Sequence, residues 1–227
     1  MVDYTKRPAP DGEGRPAGNG PVSLSKVTLT KAAPAVSLTK QGSAGGTLRV
    51  NLNWTSRAGG ERGGFFKRAT SSAIDLDLGC LYEFSDGTKG VVQALGNAFR
   101  DQNAFGSDPI IWLDGDDRSG TNTAGENLFV NLQHVDRIKR IMVFAFIYEG
   151  VPNWAAADGV VTLIPASGPQ VEVRLDEHDA KATMCGIAML ENVGGELSVR
   201  REVRYVGGHR QLDEAYGFGM RWTAGRK

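Results

Sequence analysis

Short segments in which apolar and polar side chains alternate, punctuated by Gly, Asp and Ser, constrain this chain most. Leu48-Arg49-Val50-Asn51-Leu52-Asn53-Trp54 is the cleanest of them. Residues two apart on a strand share a face. Leu48, Val50, Leu52 and Trp54 therefore predict one buried stripe, which a helix would scatter around its axis. A second strand is expected over residues 74–84, turned by Ser85 to Gly90 with Asp86-Gly87 as the hairpin signal, and returning through Val91 to Leu95. Further strands are expected at 110–113, 128–132, 160–164, 171–175, 183–190 and 196–205. Residues 140–148 form an uninterrupted apolar run rich in β-branched and aromatic side chains, which predicts a central strand. This spacing predicts an all-β fold, an antiparallel β-sandwich with long loops and one short C-terminal helix at 211–216.

The chain opens with a weak repeat, Val22-Ser23-Leu24-Ser25-Lys26, then Val27-Thr28-Leu29-Thr30-Lys31, then Val36-Ser37-Leu38-Thr39-Lys40. It is too short for a solenoid, and predicts two or three edge strands or a docking arm. Residues 1–20, rich in Pro and Gly, are expected to be a disordered leader before one domain spanning 21–227. The stretch from Ala58 to Ser72, within 57–73, reads as a flexible Gly- and Arg-bearing insertion. Its Phe65 and Phe66 either contact a partner or fold back on the core.

Charge and cysteine content narrow the function. Lys plus Arg and Asp plus Glu both number 26. The basic excess of a general nucleic-acid binder is missing, so no nucleic-acid partner is expected. Cys80 and Cys185 each sit in an apolar run and form no CxxC pair, so both are read as small buried hydrophobes rather than thiol or zinc chemistry. No signal-like segment is seen, and no apolar run approaches the roughly 20 residues that cross a bilayer. A cytoplasmic location is the expectation.

Two acidic segments carry the chemistry. Asp75 and Asp77 stand two apart on a predicted strand, so both carboxylates leave the same face. Such a pair calls for solvent or a cation between its members. The segment 114–127 places Asp114, Asp116 and Asp117 within four residues, among glycines, and ends on Glu126 and Asn127. Ca2+ takes six to eight oxygens from carboxylates, carbonyls and amides in a flexible cage, whereas Mg2+ demands a tighter octahedron. The segment is not an EF-hand: Arg118 and Gly125 stand where ligands are required. The plain alternative is a solvated Asp-Gly-rich turn.

Catalysis is not expected. A carboxylate pair can serve hydrolysis, but no GxSxG, P-loop or HExxH pattern accompanies it, and His134, His178 and His209 lie far apart in the chain. A metal-independent interaction module is the rival from another class.

At these residues the sequence resembles the TerD family of tellurite-resistance and stress proteins. The family pattern joins a Val-Ser-Leu-x-Lys start, a strand ending in Trp, an (Ile/Phe)-Asp-Leu-Asp segment and a Gly-Asp-(Asn/Asp)-x-(Thr/Ser)-Gly loop. These match Val36 to Lys40, Leu48 to Trp54, Ile74 to Asp77 and Gly115 to Gly120. The segment from Tyr205 to Gly219 is similar to the family's closing aromatic and glycine segment, and the leader, insertion and Thr-Asn-Thr loop look most like its TerA-type branch. The resemblance implies a β-sandwich, Ca2+ as cofactor, and a non-enzymatic role in tellurite and chemical-stress resistance. It also implies partners in a stress-resistance complex at the inner face of the membrane. It implies Asp75, Asp77, Asp116, Asp117, Glu126 and Asn127 as metal ligands. The family loop continues Glu-Gly-Asp-Gly-Asp-Asp-Glu, whereas Thr121 to Asn127 carries fewer carboxylates. Fewer anionic ligands imply a single site or weaker binding.

Overall fold

The computed structural model describes residues 26–43, 45–55, 74–102, 108–114, 125–149, 154–176, 179 and 181–223. The strands are β1 (Lys26–Thr28), β2 (Ala35–Ser37), β3 (Thr47–Asn53), β4 (Asp75–Phe84), β5 (Lys89–Gln93), β6 (Ile111–Leu113), β7 (Glu126–Asn131), β8 (Ile138–Glu149), β9 (Val160–Ile164), β10 (Gln170–Arg174), β11 (Met184–Val193) and β12 (Glu196–Val206). Two α-helices accompany them, α1 (Trp154–Ala157) and α2 (His209–Tyr216). The strands form two six-stranded sheets, in the orders β1-β10-β9-β3-β7-β6 and β2-β12-β11-β8-β4-β5. Every described pairing is antiparallel except β1 with β10.

The sandwich follows from the alternation. Leu48, Val50 and Leu52 of β3 are fully buried, as are Leu76, Leu78 and Cys80 of β4. They share one core between the sheets with Leu128, Val130, Ile141, Val143, Ile187 and Leu190. Burying each such side chain contributes about 1.5–3 kcal/mol. A second core lies on the outer face of the β4–β8–β11 sheet. There Leu81, Met142, Phe144, Phe146, Met184 and Met189 meet Leu212 of α2 and Phe218 beyond it. This outer core explains why residues 140–148 read as one apolar run: β8 is covered on both faces, so neither face needs polar residues.

The hairpin signal is realised. Asp86 Oδ1 accepts from Thr88 N at 2.8 Å, Gly87 N donates to Phe84 O, and β5 returns along β4. At Gly90 a side chain would meet Tyr82, its register partner, at 2.3 Å. The glycine therefore gives the Tyr82 ring its place.

The second and third units of the N-terminal repeat supply two edge strands, β1 on one sheet and β2 on the other, while residues 22–25 of the first unit lie outside the described residues. β2 is shorter than its repeat unit. It stops at Ser37, and a 3-10 turn over Thr39–Gln41 follows, ending at Gly42 with φ 88°. Leu38 is fully buried there, as alternation from Val36 predicts, and its helical backbone (φ −66°, ψ −42°) turns the chain out of the strand. A larger correction concerns Glu126 and Asn127. They are not loop residues but the first two of β7, in register with Leu52 and Asn51 of β3. The four-residue helix α1 was not expected; Trp154 anchors it, fully buried, with Nε1 donating to Ala182 O at 2.8 Å. Cys80 and Cys185 are free and buried, and burial pushes the Cys80 thiol strongly up. No described helix is long and apolar enough to cross a membrane. The leader expected over 1–20 and the Phe65/Phe66 insertion lie outside the described residues.

Candidate functional site

β5 pairs with β4 only from Gly79 to Glu83. The start of β4, which carries Asp75 and Asp77, runs on past the end of that edge strand. Leu76 and Leu78 point into the core between the sheets, so alternation directs Asp77 to the opposite face, while Asp75 lies beyond a shift in the register of β4 on β8. Both are nonetheless buried, Asp77 completely.

Glu126 reaches this edge from the other sheet. Its Oε2 accepts the backbone N–H of Leu78 at 2.6 Å, one residue past Asp77. The first residue of β7 thereby joins β4 across the sandwich. Gly125 sets up the approach. It has φ 65°, and a Cβ there would stand 2.2 Å from Leu52 O, so the chain enters β7 along a path that only glycine fits.

Asn127 leaves the other face of β7, because consecutive strand residues alternate. Its Oδ1 accepts from Asn51 Nδ2 at 2.9 Å, and its Nδ2 donates to Asp114 Oδ2 at 2.8 Å. Asp114 N donates to Asn127 O at 3.2 Å, and Asn127 N to Asp114 Oδ1 at 3.3 Å. These bonds pin together the two ends of the segment that holds Asp116 and Asp117. Those two residues lie outside the described residues. Glu126 thus meets the strand that carries Asp75 and Asp77 at the Leu78 backbone, while the side chain of Asn127 is directed away from Glu126. Among the described residues, no group of three or more His, Cys, Asp or Glu side chains is arranged to hold a metal ion. The donors at this edge are hard oxygens, the chemistry Ca2+ takes. A complete ligand set would have to draw on residues of the 115–124 segment.

Sequence reasoning missed a second polar region. A cleft of about 870 Å³ opens beside β5, between residues 95–102 and the chain after α2. His209, at the start of α2, lies in it. Its Nε2 is 2.6 Å from Gln93 Oε1; since that oxygen only accepts, Nε2 carries the proton. The imidazole packs against Phe144, Phe146 and Trp222, with ring centroids 5.4, 5.2 and 5.2 Å away. Burial pushes its pKa down to about 4. Trp222 is held by Asp213, whose Oδ2 accepts from Trp222 Nε1 at 2.8 Å and from Met220 N at 2.9 Å, while Oδ1 accepts from Gly219 N at 2.6 Å. The available sequence signal was the clustering of Arg210, Arg221 and Trp222 around α2. Only the fold adds Lys89, Arg100 and Gln93 to it.

No family model matches the chain. It is 47% identical over 208 residues to the tellurium resistance protein TerA of an Alcaligenes species; the match covers 91% of this chain and 60% of that protein. The chain thus spans less than two thirds of the relative's length. Among solved structures, SAV2460, a protein of unknown function, superimposes with a TM-score of 0.55 at 13% identity, over 78% of this chain and 99% of the other. SCO6318 from Streptomyces coelicolor A3(2), a homologue of the telluride resistance protein TerD, gives 0.50 at 19% identity over 74% and 94%. These two likenesses speak to the fold alone, and both agree with the sandwich. With the TerA match spread along nearly the whole chain, the chain resembles the TerD family, on its TerA-like side.

Proposed function

We propose that this chain is a Ca2+-binding, non-catalytic module of tellurium resistance, acting as a scaffold for other proteins of a stress-resistance complex. The resistance role is carried over from the TerA relative, of which this chain corresponds to only part. The observation that carries the metal reading is the bond from Leu78 N to Glu126 Oε2. It ties the strand bearing Asp75 and Asp77 to the strand on which the 114–127 segment ends.

In this reading Asp75, Asp77, Asp116, Asp117 and Glu126 supply carboxylate oxygens, and Asn127 serves by holding Asp114. A bound Ca2+ would neutralise carboxylates that otherwise repel one another. The residues of the 115–124 segment would then settle into one arrangement and present a surface to partner proteins. A cytoplasmic location and docking at the inner membrane face belong to the same proposal.

Thermal melts with Ca2+, Mg2+ and EDTA test it. A ligand present at about 100 times its Kd stabilises by about 2.7 kcal/mol. For a chain of this size that raises Tm by about 5–10 °C. The rise is expected with Ca2+, smaller with Mg2+, and abolished in Asp77→Ala and in Asp116→Asn. Calorimetric titration is expected to give one site, in keeping with the reduced carboxylate count. Melts indifferent to Ca2+ would leave the metal-independent interaction module as the better reading.

A further inference from the structure

The cleft beside β5 has a composition that the metal edge does not explain. Its described lining includes four cations, Lys89, Arg100, Arg210 and Arg221, and no Asp or Glu. In a chain whose acidic and basic residues balance at 26 each, that imbalance is local, and the acids Asp213 and Glu214 line the adjoining hollow instead. Lys89 is tethered, its Nζ donating to Phe218 O at 2.7 Å and lying 4.0 Å from Glu83 Oε1, so its charge is already answered. Arg100, Arg210 and Arg221 are exposed, and none of them enters an ion pair among the described residues.

The rest of the lining is flat and apolar or neutral. Its aromatic members are Tyr82, almost fully buried in the main core, and Phe99 and Trp222, each partly buried against a core. The His209 imidazole is fixed from both sides, by Gln93 and by the aromatic side chains that pack on it. Trp222 is fixed in turn by Asp213. Gln93, Asn97 and Gln102 add side-chain amides, which both donate and accept. The cleft therefore joins a rigid aromatic interior to a rim of guanidiniums. Guanidinium forks match phosphate oxygens in pairs, and aromatic faces take flat rings. The volume falls in the range of small-ligand sites. It far exceeds what a bare phosphate occupies, and an acidic peptide would leave the ring surfaces without a matching group.

We propose that this cleft binds a small organic phosphate carrying a planar ring, the chemistry of a nucleoside phosphate. Arg100, Arg210 and Arg221 take the phosphates, and the Trp222 and Phe99 side takes the ring. The site is independent of the acidic edge, and it stands or falls separately from Ca2+ binding.

Calorimetry in EDTA at low ionic strength, with ADP, adenosine and pyrophosphate as probes, tests this. EDTA removes any divalent ion, so the metal reading cannot influence the result. ADP is expected to bind at least about tenfold more tightly than either adenosine or pyrophosphate, the loss expected when one set of charge-assisted bonds or ring contacts is missing. Arg210→Gln and Arg221→Gln are each expected to weaken ADP about tenfold. The triple variant Arg100→Glu, Arg210→Glu, Arg221→Glu is expected to abolish binding while keeping the wild-type circular dichroism; should it fail to fold, the two single variants decide. Absence of ADP binding up to millimolar concentration would overturn the proposal. Equal affinity for pyrophosphate would overturn the ring requirement, and unchanged affinity in the arginine variants would overturn the assignment to this cleft.

Discussion

At the scale of single residues, buried ionisable groups in this protein show two opposite balances between burial and partners. Burial alone would raise the pKa of Glu83, but hydrogen bonds from Lys139 and Arg140, each at 2.7 Å, lower it overall. His209 shows the opposite balance, since desolvation holds its imidazole neutral down to about 4, from an ordinary 6.5. The sign follows from proton counting. Between those two values the unfolded chain binds a proton at this ring that the folded chain does not. His209 therefore favours the folded state fully above its unfolded pKa, and this contribution is lost as pH falls through the window. The loss is at most about 3 kcal/mol. Urea unfolding at about pH 7 and about pH 4.5, on wild type and on His209→Gln, measures it. The variant is expected to lose less stability on acidification, by roughly 2 kcal/mol, and parallel losses would remove His209 as the cause.

At the scale of elements, α2 and the chain beyond it act as a lid on the outer face of one sheet. Gly217 ends the helix with φ 62°, and its N–H caps Asp213 O. Arg140 of β8 donates to Tyr216 O at 2.8 Å and Gly217 O at 3.0 Å, a cation on the helix's negative end. It also lies 4.1 Å over the Phe218 ring. Asp213 then gathers the chain that follows, accepting from Gly219, Met220 and Trp222. Asp213→Asn keeps the shape but weakens these charge-assisted bonds, at a cost of about 1–3 kcal/mol. Hydrogen exchange is the informative readout: the Gly219 and Met220 amides are expected to exchange faster, with β8 and β11 amides unchanged. Equal acceleration throughout would mean that Asp213 supports global stability rather than this segment. The helix was legible from its spacing. Its duty as the cover of a second core was not, because that depends on which sheet face the chain crosses.

At the scale of the whole molecule, two sheets share one apolar core, and Glu126 adds a buried polar tie between them. Leu78 N is buried with the Glu126 carboxylate as its acceptor. Glu126→Ala leaves that donor without its carboxylate, which costs about 1–3 kcal/mol. Urea unfolding in EDTA measures this apart from any metal effect. A loss below about 0.5 kcal/mol, the range of ordinary surface changes, would show that the tie is replaceable. The tie also explains why Glu126 looked like a loop ligand from sequence. A carboxylate and an amide at the end of an acidic segment suggest a turn, and only register with Leu52 and Asn51 reveals them as the head of β7.

The linear sequence was sufficient for the sandwich itself. Period-two alternation at Leu48, Val50 and Leu52, and at Leu76, Leu78 and Cys80, is a local property that dictates which side chains turn inward wherever the strand lies. It was also sufficient for the Asp86-Gly87 hairpin, whose geometry closes within a few residues. It could not determine which strands become neighbours, because pairing depends on contacts between residues far apart in the chain. Only the tertiary structure brings Glu126 to Leu78, 48 positions earlier, and His209 to Gln93, 116 positions earlier. The acidic edge and the arginine-rimmed cleft both arise from such pairings. Their ingredients are written in the sequence, whereas their meeting is decided by the burial of two sheets against each other and of one helix against the outer face.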